Sequence, residues 1–381
     1  MSGFSSGRNS VARKTLIQAL ILGMAVMVPA VASSQTWVWT TETVDASGTA
    51  TSLAADHSGN IHLSYADEEG TLKYAFRPEG AARWLNMRID SEATHTNLRL
   101  DREGNPHICA TFRKLKYSHF DGQKWHTHEI VTDQAQIGFS CSVGIGPDGT
   151  PHLAWYKDRS GDGSLYLHLK YGVLQDDVWL IRTVDFDAQT GKWSSMILDP
   201  QGNSYVCYDA WVKGDLRYAH WDGKKWNIQI VDSRGGGRYN IGMGNSIFMD
   251  GHGKLHFSYY ADNSVMYAQK QNETWIRQTV DTVTPTGGWT GWRTTVVVDS
   301  VGTPHVAYED GGAIRHAYRD GQKWRVQIIA ASNTPKSSYS SMTIDKQDTL
   351  YISYRDPADG SLKVAIGRRA EQAQTAGAEK K

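Results

Sequence analysis

Nine residues carry most of the chemistry this sequence offers: His95, Phe139, Trp193, Arg238, Tyr239, Trp289, Trp292, Arg293 and Tyr339. They fall where an otherwise regular repeat breaks, and irregular loops are where function concentrates. Their types suit a sugar. Aromatic rings stack on a pyranose face, while arginine holds hydroxyls or a uronate carboxylate. A lyase acting on an acidic polysaccharide needs related parts: a cation beside the carboxylate and a tyrosine or histidine base. Arg238, Arg293, Tyr239, His95 and Lys192 would fill those roles. A hydrolase needs two carboxylates at a set distance, and spacing alone pairs none of Asp209, Asp262 and Asp310. The structural alternative is that the aromatics only close the mouth of a channel.

The elements that position these residues follow from the repeat. One unit reads as small polar residues, an apolar strand, D-x-x-G, His or Tyr, a second strand, L-K-Y-A, a turn, Trp, then V-D. The turns after the first strand begin at Asp56, Asp101, Gly146, Asp199, Asp250, Asp299 and Asp345, at spacings of 45, 45, 53, 51, 49 and 46 residues. Such periods suit four-stranded propeller blades. Alternation as in His62-Leu-Ser-Tyr65 favours strands over helices. The expected fold is therefore all-β, a seven-bladed β-propeller over residues 37–369.

The seventh unit ends at Leu362-Lys-Val-Ala365 and lacks its Trp strand. Trp39 and Val44-Asp45, before the first unit, have the spacing of that missing strand. The N-terminal strand 37–45 is thus expected to complete the last blade, close the ring and cover two open edges. In the ring, the loops leading to each inner strand share a face with those between second and third strands. The latter add Asp67, Lys157, Asp158, Asp209, Lys213, Asp262, Asp310 and Asp356. The longest irregular loops, 234–244 and 285–293, point to blades 4–6 as the rim of a site.

The repeated residues read as structural. The His/Tyr position (His62, His107, His152, Tyr205, His256, His305, Tyr351) is expected to pack and to hydrogen-bond between blades. The outer-strand Trp residues are expected to wedge between sheets. Cys109 and Cys207 align with Ser64 and Ala154, which marks them as small core residues; three cysteines cannot form a complete disulfide framework, and Cys109 and Cys141 would pair only through chance adjacency of blades 2 and 3. No metal site or cofactor is expected. Calcium is the one candidate ion, because Asp158, Ser160, Asp162 and Gly163 resemble the start of a calcium loop. Its later ligands are missing: Tyr166 and Leu169 stand there.

Forty basic residues balance forty acidic ones, which argues against nucleic acid or an anionic membrane as partner. Arg8, Arg13 and Lys14, an apolar run and Ala30-Val-Ala32 form a signal-peptide pattern over residues 1–32. Its removal leaves no membrane span and places the protein outside the cell or in the periplasm. Residues 370–381, rich in Ala, Gln, Glu and Lys, read as a disordered tail.

The motifs D-x-x-G-x-P-H-x-x-Y, L-K-Y-A and W-x-x-x-x-V-D resemble those of secreted bacterial propellers with BNR-like or lectin-like repeats. The S-x-D-x-G-x-x-W box of sialidase propellers is not kept: the Gly is followed by His, and Trp lies on another strand. The resemblance implies the propeller fold and a binding role. The expected function is a secreted propeller that binds a carbohydrate or another extracellular ligand on its loop face, without chemistry. Two alternatives stand beside it: a polysaccharide lyase, and a protein-interaction scaffold of the cell envelope. A deep central pocket with converging Arg, Tyr and His would favour catalysis. A flat aromatic face would favour a protein partner.

Overall fold

The computed structural model describes residues 36–131, 137–157, 168–187, 189–233, 241–283, 293–331 and 339–370. The expected signal peptide, the tail beyond Ala370 and the calcium-like segment 158–163 lie outside them. Turns set the repeat. Asp56 Oδ1 accepts the backbone N–H groups of Ser58 and Asn60 at 2.8 and 2.9 Å. Asp199 and Asp345 take the residues two and four positions on in the same way. A short acidic side chain favours such a turn. The glycine three residues on, such as Gly59 at φ +83°, adopts left-handed backbone that a Cβ would strain.

The strands form seven four-stranded antiparallel sheets. Blades 1–6 occupy residues 49–90, 95–131, 137–183, 190–233, 243–282 and 294–331. Blade 7 takes residues 341–369 and the strand Trp37–Asp45, which pairs antiparallel with Leu362–Arg369 from Trp37↔Arg369 to Asp45↔Leu362. The strand Trp37–Asp45 therefore closes the ring, as its sequence predicts. Second strands such as Ile61–Ala66 are buried along their whole length, whereas the outer strand Leu85–Asp90 is largely exposed.

The repeated histidine bonds within its own blade rather than between blades, which corrects the expectation. His62, His107 and His256 meet the hydroxyls of Tyr74, Tyr117 and Tyr267 at 2.6, 2.6 and 2.7 Å. Each pair spans adjacent strands of one sheet. The other ring nitrogen faces the turn aspartate, as in His256–Asp250 at 3.1 Å. Other residues of the repeat join the blades. Trp125, Trp226 and Trp324 stand edge-on to Tyr74, Tyr171 and Tyr267 of the preceding blade, with centroids 5.2, 5.0 and 5.3 Å apart. The Asp that ends an outer strand accepts from a tyrosine of the next blade: Tyr65 to Asp45, Tyr208 to Asp185, Tyr259 to Asp232 and Tyr308 to Asp281, at 2.6–2.8 Å.

A second set of links ties five of the seven second strands to the inner strand of the next blade. Ser64 meets Thr96, Ser258 meets Thr294 and Ser353 meets Thr51, at 2.9, 2.7 and 2.8 Å. At the same register, the Cys207 thiol donates to Asn245 Oδ1 at 2.8 Å. Cys109 and Cys141 form a disulfide there, with Cα atoms 6.2 Å apart. The reading of Cys109 as merely a small core residue is thus corrected. The odd cysteine is Cys207, a buried free thiol.

Blades 3 and 6 carry Ala154 and Ala307 at the donor position. Opposite them the buried hydroxyls of Ser194 and Ser340 have no hydrogen-bond partner among the described residues. Ala154→Ser and Ala307→Ser should each supply that partner and add about 1 kcal/mol. A rise in the urea midpoint at constant m-value checks this. An unchanged or lower midpoint would mean the added hydroxyl does not reach its serine.

Candidate functional site

The inner strands line the axis along their edges, and side chains two positions apart on a strand share a face. Counting back six residues from each turn gives Ala50, His95, Ser140, Trp193, Gly244, Arg293 and Tyr339. These seven positions form one rim register near the loop-face start of the inner strands; Trp193, Gly244 and Arg293 line the axial channel there, and His95 and Tyr339 join them through ring contacts. Counting back four gives Ser52, Asn97, Ser142, Ser195, Ser246, Thr295 and Ser341. That layer holds the ring together. The side chains of Ser341, Ser52, Asn97 and Ser142 accept the N–H groups of Leu53, Leu98, Val143 and Met196 on the next blade, at 3.0, 3.0, 2.9 and 2.9 Å. Counting back two gives a deeper layer with one charged residue, Arg99.

Three rim residues are small and four are large, so the large ones have room to cross the axis. His95 of blade 2 lies edge-on to Tyr339 before blade 7, with centroids 5.4 Å apart, and to Trp193 of blade 4, at 6.4 Å. These blades are not neighbours in the ring. Their side chains meet only because all of them point at the axis. His95 is 4% exposed; Trp193, Arg293 and Tyr339 keep partial exposure. Burial, then the charge of Arg293, hold the His95 imidazole down to a pKa of about 3, so it is neutral. Burial raises the Tyr339 hydroxyl, against the opposing pull of Arg293.

Trp193 and Arg293 also line the channel below, a space of about 400 Å³ that reaches Arg99. Burial and the nearby Arg293 bring the Arg99 guanidinium down to about 10. Burial lowers Arg293 as well.

No family model matches this chain, and no curated protein does. Solved structures do. The BP39L lectin of Burkholderia pseudomallei aligns at TM-score 0.59 and 13% identity, over 85% of this chain and 96% of the lectin. A lectin from Aleuria aurantia, described as a six-bladed propeller with a novel mode of fucose recognition, aligns at TM-score 0.52 and 14% identity, over 77% of this chain and 99% of its own. An oligogalacturonate lyase solved with manganese aligns at TM-score 0.55 and 10% identity, over 89% of this chain and 99% of the lyase. The likeness is one of fold.

Of the nine residues singled out by sequence, the structure brings four together: His95, Trp193, Arg293 and Tyr339. Arg238, Tyr239, Trp289 and Trp292 lie outside the described residues, as does the side chain of Phe139. The four come from blades 2, 4, 6 and 7, a wider spread than blades 4–6. Sequence reading missed Arg99, whose signal was its place two residues before the turn at Asp101.

Most acidic residues of the neighbouring loops are already engaged. Asp67 pairs with Lys73 at 3.3 Å, Asp310 with Arg315 at 2.7 Å and Asp356 with Lys363 at 2.6 Å. Asp209 differs: burial pushes its carboxyl well above the usual range, only partly offset by Lys192. The Lys192 ammonium lies 4.2 Å from the Trp211 ring centroid. Asp209 is 1% exposed and so is not presented to a ligand.

Proposed function

We propose that this protein is a secreted or periplasmic carbohydrate-binding propeller of the BNR-like or lectin-like repeat type, with one ligand site at the axial mouth. The observation that carries this reading is the rim: one repeat position holds His, Trp, Arg and Tyr in four blades and Ala, Ser and Gly in the other three. A lectin with repeated sites would keep the same residues on every blade. Divergence at one register instead builds a single asymmetric site. Partly exposed Trp193 and Tyr339 offer faces for a pyranose, and Arg293 offers donors for hydroxyls. Removal of residues 1–32 and export fit the Cys109–Cys141 disulfide, since such bonds persist in oxidising compartments. The Aleuria aurantia lectin, which recognises fucose, shows that a propeller of this general architecture can serve sugar binding.

Convergence of Arg293, His95 and Tyr339 favours a second reading, a polysaccharide lyase. Its difficulty is the base. A general base is most effective with a pKa near the working pH. His95 is held near 3, and Tyr339 is shifted above the ordinary phenol range. Neither is poised to take a proton near pH 7, so binding without chemistry stands first.

The test is an array of acidic and neutral polysaccharides probed with the mature chain and with Trp193→Ala. Specific binding weakened tenfold or more by Trp193→Ala supports the mouth as the site. Unsaturated product released from a bound uronide would install the lyase in its place. Binding to no glycan, with the folded propeller confirmed by circular dichroism, would overturn the sugar reading and turn attention to a protein partner.

A further inference from the structure

We propose that the axial channel is a carboxylate-binding site formed by Arg99 and Arg293, so that the sugar taken at the mouth is an acidic one. This rests on the reading of the mouth as a sugar site. Three observations carry it.

The first is charge. The channel is lined by Arg99 and Arg293 and by no aspartate or glutamate. None of the axis-facing positions in the three layers is acidic either. Among the described residues, no carboxylate lies within ion-pair distance of either guanidinium. The other arginines in the ring show how this chain treats a partly buried cation. Arg217 has Asp185 and Asp187 at 2.9 and 2.8 Å, Arg315 has Asp281 and Asp310 at 2.9 and 2.7 Å, and Arg369 has Asp299 at 2.6 Å. Arg99 instead spends one N–H on the carbonyl of Leu98, at 2.9 Å.

The second is proximity. The two guanidinium groups stand close enough for the charge of Arg293 to weigh on Arg99. Like charges in a confined, poorly hydrated space repel, and burying a charge without a partner is costly. An anion placed between them removes both penalties at once. A carboxylate suits the task, because a guanidinium binds its two oxygens through parallel N–H donors.

The third is position. The rim above holds Trp193 and Tyr339, and Trp193 also lines the channel itself. A sugar ring stacked at the mouth would direct a carboxylate substituent down the axis towards the guanidinium groups. A neutral sugar would leave them as they are.

The experiment titrates the mature protein with an oligogalacturonide and with its methyl ester, following tryptophan fluorescence at low and high salt. The acid should bind at least tenfold tighter than the ester, and the difference should shrink at high salt. Arg99→Gln should abolish the preference while leaving the ester unaffected, and Arg99→Lys should keep part of it. Equal binding of acid and ester, or a preference that survives Arg99→Gln in a folded protein, overturns the proposal. If acid and ester bind equally and both are lost with Trp193→Ala, the sugar site stands without the anion site. If no sugar binds but acetate raises the melting temperature of the wild type and not of Arg99→Gln, the anion site stands and the sugar reading fails.

Discussion

Deleting residues 36–45 should cost upwards of about 5 kcal/mol, a large fraction of a domain's usual stability. Those residues supply the outer strand of blade 7, paired along Leu362–Arg369. Trp37 and Val44 are 2% and 6% exposed. Trp39 packs edge-on to His316 at 5.0 Å and donates to Gln327 at 3.3 Å. Asp45 receives the Tyr65 hydroxyl at 2.6 Å and the Lys73 ammonium at 3.2 Å. Deletion leaves those donors without their acceptor and exposes the edge of Leu362–Arg369, which invites pairing with other chains. The urea midpoint should collapse and the truncated chain should aggregate. A synthetic peptide of residues 36–45 should restore much of the loss, since an open edge accepts an added strand. A truncated chain with an unchanged midpoint would show that the closing strand is dispensable.

The second large effect is acid sensitivity that begins well above the carboxylate range. His62, His95, His107, His152, His256, His305 and His316 all have lowered pKa values, with burial the largest cause in each. In the unfolded chain they titrate near 6.5. The unfolded state therefore binds more protons below that pH. Stability is full above about pH 6.5 and falls as pH drops towards the folded values, which are about 4 for His152 and about 3 for His95. Each such group contributes up to about 1.4 kcal/mol per pH unit within its own window. Together they should remove several kcal/mol by pH 5. A second decline follows near pH 4 and below, where carboxylates such as Asp299, held at about 2 chiefly by His305 and the Thr303 N–H against the effect of burial, become protonated. Urea midpoints measured from pH 7.5 to 4 check the first stage. A profile flat from pH 7 to 5 would rule it out.

Much of the fold was legible because its signals are local and repeated. The turn aspartates fix where each inner strand ends, and the outer Trp and V-D residues fix where each blade meets the next. The closing strand was readable because Trp39 and Asp45 lie at blade spacing without a blade before them. What escaped was lateral. Cys109 aligns with Ser64 and Ala154 within its own unit, so nothing there marks a disulfide. Only the inner-strand position shared by Thr51, Thr96, Cys141 and Asn245 identifies its partner. The site was half legible for a related reason. Loop irregularity pointed to His95, Trp193, Arg293 and Tyr339, but it gave no weight to the small residues at the same register, Ala50, Ser140 and Gly244. Arg99 was hidden because it sits inside a strand that otherwise reads as scaffold.

The alternation along the inner strands has a consequence for how such a protein can change over generations. On most inner strands the position five before the turn links neighbouring blades, while large side chains six before it reach the axis. Adjacent residues thus answer to different selection. A side-chain substitution at Ser140 would alter what the mouth accepts, while Ala50 and Gly244 are held further by the carbonyls that receive Thr96 and Thr294 of the next blade. The seven rim positions vary as an alphabet written on a frame that does not have to be reinvented each time the ligand does.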